Sequence, residues 1–84
     1  MAKKQKALGA RTNSNAPIFT DKADGDRIQG VITKVGSSRF EDARRRLAKL
    51  AGDREAEQTS DADVVEYLAR GEKETRAYLA AKEQ

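Results

Sequence analysis

Cysteine and histidine are both absent from this chain, and tryptophan with them. No disulfide can staple the fold, and a histidine-based metal site or a His-assisted nucleophile is excluded. Four aromatic residues and one proline, Pro17, complete a short inventory. No apolar run approaches the roughly 20 residues of a membrane-spanning helix. The basic N-terminal stretch lacks the apolar segment of a secretory signal, so the expected location is the cytoplasm. Hydrophobic residues reach 37% and charged residues another 37% of 84. So short a chain buries a modest core, and the expected remedy is association with a second copy.

What the chain does have is unevenly placed charge. Residues 1–26 carry five basic and three acidic groups, residues 27–52 seven and two, and residues 53–84 five and nine. A basic middle beside an acidic end suggests an oriented surface, and double-stranded DNA is the polyanion expected to meet the middle. A solvated charged surface explains the same run without any partner.

Residues 1–26 hold few sizeable apolar groups apart from Ile18 and Phe19, and Pro17 and Gly25 interrupt regular structure. A flexible basic arm is expected here, with a local contact at Pro17-Ile18-Phe19. Residues 27–84 form the expected domain. β-branched residues crowd 27–35, namely Ile28, Val31, Ile32, Thr33 and Val35, which makes this segment the one strand candidate. A lone strand needs a partner, and the same strand of a second copy supplies one. Ser37 or Ser38 is a suitable N-cap for a helix over 39–51 whose apolar face is Phe40, Ala43, Leu47 and Leu50. Gly52 is its expected stop. After a polar loop at 53–59, Ser60 and Asp63 have the spacing of a capping box. A second helix follows, with Val64, Val65 and Leu68 on its apolar stripe. It runs either as one helix over 61–82 or as two joined at Gly71.

Arm, strand Val31-Ile32-Thr33-Lys34-Val35, capped helix and Ser60-Asp61-Ala62-Asp63-Val64-Val65 together resemble the ribbon-helix-helix family of bacterial DNA-binding proteins. The likeness covers residues 27 to about 70. It implies a mainly α fold with one short strand, a homodimer, and an intermolecular antiparallel β-ribbon lying in the DNA major groove. In the register matching the family, Lys34 and Ile32 face DNA; the other register exposes Gln29 and Thr33. All four are candidate base readers, and a solvated edge-strand lysine is the plain alternative for Lys34. Arg27 and Arg39 flank the ribbon as phosphate contacts. Arg44 is a further candidate from the Arg44-Arg45-Arg46 run, and Ser60 one at the start of the second helix. Lys3, Lys4, Lys6 and Arg11 in the arm either solubilise it, touch flanking DNA, or meet a partner ATPase as in plasmid-partition members of the family.

The resemblance implies a transcriptional repressor or the centromere-binding component of a partition system. A second reading is an antitoxin whose acidic C-terminal segment folds on a toxin; its mark is a segment 71–84 without structure in the free chain. A third is a helical hairpin with no strand pairing, acting as a scaffold. No arrangement of residues suggests catalysis or a cofactor.

Overall fold

The computed structural model describes residues 17–19, 23–52 and 54–82, and every regular element among them is helical. Helix α1 spans Gly25–Val35, α2 Ser37–Leu50, α3 Asp61–Arg70 and α4 Glu72–Lys82, with a short 3₁₀ turn at Ala56–Gln58 between α2 and α3.

The expected strand is therefore helix α1, and the β-ribbon architecture does not stand. Local chemistry explains the outcome. Asp24 is the N-cap, its side chain accepting from the Arg27 amide at 2.9 Å. Asp26 lies in the first turn and Lys34 in the last, each matched to the helix dipole. Ile28, Val31, Ile32 and Val35 recur at intervals of three, one and three, which is the stripe of an amphipathic helix. All four pack half-buried against the core. The helix penalty of a β-branched residue is below about 0.7 kcal/mol. Fully burying a Val or Ile side chain yields about 1.5–3 kcal/mol, so even the partial burial of these four outweighs propensity. Gly30 marks no bulge: it sits in mid-helix, exposed, where a Cβ would meet nothing within 4 Å.

Glycine makes two of the corners. Gly36 closes α1, its N–H donating to the Ile32 carbonyl at 2.9 Å, and opens α2, its carbonyl accepting from Phe40 at 2.9 Å. Gly71 repeats this between α3 and α4, donating to Tyr67 at 2.8 Å and accepting from Thr75 at 3.0 Å. Their φ angles, 92° and 87° with ψ near extended, belong to a region that side chains other than glycine's avoid. The segment 61–82 is thus two helices. Gly36 also displaces the expected cap: Ser37 and Ser38 lie inside the first turn of α2, which has no side-chain cap.

Phe40, Ala43 and Leu47 of α2 meet Val64, Val65 and Tyr67 of α3 in the core, while Leu50 and Leu68 lie half-buried at its edge. Ile18 and Phe19 complete it from outside the helices, Phe19 with no exposure at all. α1 begins at Gly25, within the stretch whose composition suggests an arm. No helix among the described residues is long and apolar enough to cross a membrane.

Candidate functional site, a basic face on α2 and α4

Two groups of charged residues set the electrostatics, and they behave differently. The first lies on the inner side of α3. Ser60 caps this helix, its hydroxyl accepting from the Asp63 amide at 3.2 Å. Asp63 itself is buried, and its carboxylate accepts from the backbone amides of Ile18 at 2.9 Å and Phe19 at 3.2 Å. One turn on, buried Glu66 meets Arg27 of α1 at 2.8 Å and Arg70 at 3.8 Å. The Arg70 guanidinium lies 4.7 Å from the Phe19 ring centre and 5.2 Å from that of Tyr78, and the two rings are 5.1 Å apart. Lys82 at the end of α4 donates to the carbonyls of Ile18 at 2.6 Å and Pro17 at 3.3 Å. Segment 17–19 is thus fixed at its amides, its carbonyls and its aromatic ring.

The second group covers the outer side of α2. Arg45, Arg46 and Lys49 of α2 and Glu72 and Arg76 of α4 line a groove of about 710 Å³ with Leu50 between them. Four cations there face one carboxylate. Arg39, Asp42 and Arg46 continue the surface into an adjoining depression beside Tyr67 and Leu68. Asp42 is shared by Arg45 at 3.6 Å and Arg46 at 3.3 Å, and Glu72 holds Arg76 at 2.8 Å. The side chains of Arg45, Arg46 and Arg76 remain about two-thirds exposed despite these pairs. Arg39 and Lys49 carry no ion pair with any described residue. Tyr67 lies beneath this surface. Burial pushes its phenol pKa above the ordinary value and the Glu72 charge adds to the rise, while Arg46 and Arg76 oppose it.

The residues singled out in the sequence are dispersed. Lys34, Thr33 and Gln29 are exposed on α1, whereas Ile32 faces the core. Arg27 is held by Glu66. Arg44 is a structural clamp: its guanidinium donates to the Thr59 carbonyl, to Glu41 at 2.9 Å and to Asp61, tying α2 to the start of α3. Burial disfavours its charge, but hydrogen bonds and charge from Glu41 and Asp61 prevail and raise its pKa above the ordinary arginine value. Ser60 serves as a cap. Of the expected phosphate contacts, Arg39 alone joins the basic face. Lys3, Lys4, Lys6 and Arg11 lie outside the described residues.

The face is assembled by Arg45 and Arg46, two members of the Arg44-Arg45-Arg46 run from which one or two phosphate contacts are expected, together with Lys49 and Arg76, which nothing in the sequence singles out. Their signal is helical spacing once α4 is recognised as a separate helix turned at Gly71. No cluster of metal-ligating side chains occurs among the described residues. No protein-family model, curated protein or solved structure matches this chain.

Proposed function

We propose that this protein binds double-stranded DNA through its phosphate backbone, using the α2–α4 basic face in place of a β-ribbon. The observation that carries the reading is the convergence of Arg45, Arg46, Lys49 and Arg76 on one groove against a single lining carboxylate. Lys49 lies ten residues beyond Arg39 on the helix, or about 15 Å at 1.5 Å per residue. That length reaches two or three successive phosphates of one strand. Such contacts position a protein on a duplex without reading bases, and their strength falls steeply with salt.

With α1 helical, no unpaired strand among the described residues calls for a second copy, and the modest core of so short a chain is the remaining ground for a homodimer. The antitoxin reading also draws no support from α4, a helix anchored within the chain by buried Thr75, by Tyr78 and by Lys82.

The test is a titration of a labelled duplex of about 20 base pairs with the native protein and the Arg45→Ala/Lys49→Ala double variant at several salt concentrations. Each lost phosphate contact should lower the slope of log affinity against log salt by about 0.9, and the pair should weaken binding about tenfold at low salt. Their exposure predicts a melting temperature close to native. Equal binding by both proteins would overturn the assignment of the face.

A further inference from the structure

The two carboxylates on the basic face are paired with three of its arginines. Asp42 sits between Arg45 and Arg46, and Glu72 lies against Arg76 at the mouth of the same groove. Neither carboxylate ties one element to another. Both pair along their own helix at spacings of three or four, and both are about half exposed, at 51% and 45%. Exposed pairs of this type contribute little to stability and exchange readily. Asp63, Glu66 and Asp61 contrast with them, each joining separate segments, while Glu41 pairs along its own helix with Arg44, away from the groove.

Resting on the nucleic-acid reading above, we infer that Asp42 and Glu72 are resident counter-ions of the phosphate site, displaced when a phosphodiester binds. In the free chain they neutralise Arg45, Arg46 and Arg76, which would otherwise repel one another across the groove. In the complex a phosphate takes the guanidinium donors, and the carboxylate is left beside an anion of like charge. The affinity of the face is therefore the difference between two anions competing for the same arginines. The protein's own carboxylates keep its grip on a duplex weak and quickly reversed.

The sign of the effect makes this testable, because removing an acidic residue should improve binding only where that residue competes. The experiment titrates the same labelled DNA duplex with the full chain as native protein, Asp42→Asn, Glu72→Gln and Glu74→Gln. Glu74 is exposed on α4 outside the groove and has no ion-pair partner among the described residues, so its variant changes net charge equally without clearing an arginine. Asp42→Asn and Glu72→Gln should each tighten binding about fivefold at low salt, with the gain shrinking as salt rises, and Glu74→Gln less than about twofold. Thermal melts of the four proteins establish that all are folded. If the native protein binds but Asp42→Asn and Glu72→Gln bind no better, these carboxylates serve only their helices and the inference is overturned. A gain from Glu74→Gln as large as theirs overturns it equally, since net charge then suffices. If none of the four proteins binds the duplex, the nucleic-acid reading falls and takes this inference with it.

Discussion

The inner side of α3 and the outer side of α2 are both rich in charge, and they treat it in opposite ways. On α3, Asp63 and Glu66 are buried, and each has partners on another segment: the amides of Ile18 and Phe19 for one, Arg27 of α1 for the other, which also meets Arg70 of its own helix. On α2, Arg45 and Arg46 share one exposed carboxylate, and Lys49 has none among the described residues. Burial explains the difference. A carboxylate taken out of water is costly unless its lone pairs are met, so interior charges persist where the fold supplies donors. A cation in water needs no partner in its own chain. Charge committed inside thus indicates architecture, and charge left over outside indicates what the molecule can still bind.

The largest expected effect breaks the inner half of this comparison. Asp63→Asn keeps the shape but replaces one accepting oxygen by a donor that faces the amides of Ile18 and Phe19. Charge-assisted hydrogen bonds contribute about 1.5–3 kcal/mol each, so urea denaturation should show a loss of about 3 kcal/mol. A loss below about 1 kcal/mol would mean that segment 17–19 is not held through Asp63.

A smaller effect, of opposite sign, tests α1. Gly30→Ala should stabilise the chain by about 1 kcal/mol, because the added Cβ meets nothing and a mid-helix glycine is unfavourable. Were 27–35 a paired strand with a bulge at Gly30, the same change would destabilise it, and chemical denaturation separates the two signs.

The smallest effect lies at Tyr67, where the two regions meet. Its raised pKa means that the neutral phenol is favoured by the folded state. The associated stability is fully present below the unfolded phenol pKa near 10 and is lost as pH rises through the higher folded value. Melting temperatures should therefore decline above about pH 10 in the native protein and decline less in Tyr67→Phe. Parallel declines would show that the phenol has no part in it.

Much of this fold is legible in the sequence where periodicity and capping agree. The faces of α2 and α3 follow from Phe40, Ala43 and Leu47 and from Val64 and Val65, and Ser60 caps as its spacing indicates. Over 27–35, β-branched composition points to a strand and spacing to a helix, and packing decides for the helix. Ile28, Val31, Ile32 and Val35 carry the helical period in plain view, and Asp24 is a ready N-cap. The role of segment 17–19 is less legible. A local contact at Pro17-Ile18-Phe19 can be expected from composition, but its partners Asp63, Arg70 and Lys82 lie 44 or more residues away, and nothing local couples them. The basic face was hidden for a related reason. Arg76 joins Arg45, Arg46 and Lys49 only because Gly71 turns α4 back toward α2. The resemblance to ribbon-helix-helix proteins includes Val31-Ile32-Thr33-Lys34-Val35 as a strand, and with that segment in α1 there is no ribbon among the described residues.

The single-residue corners also decide where this chain tolerates change in length. At Gly36 and Gly71 the carbonyl and amide of one residue belong to successive helices, so an inserted residue there has no spare backbone to absorb it. Between Leu50 and Asp61 the chain instead passes through ten residues containing one short 3₁₀ turn. Any lengthening, tag or fused domain inside the molecule belongs near exposed Gly52 in that stretch, and away from Thr59, which is buried and held by Arg44.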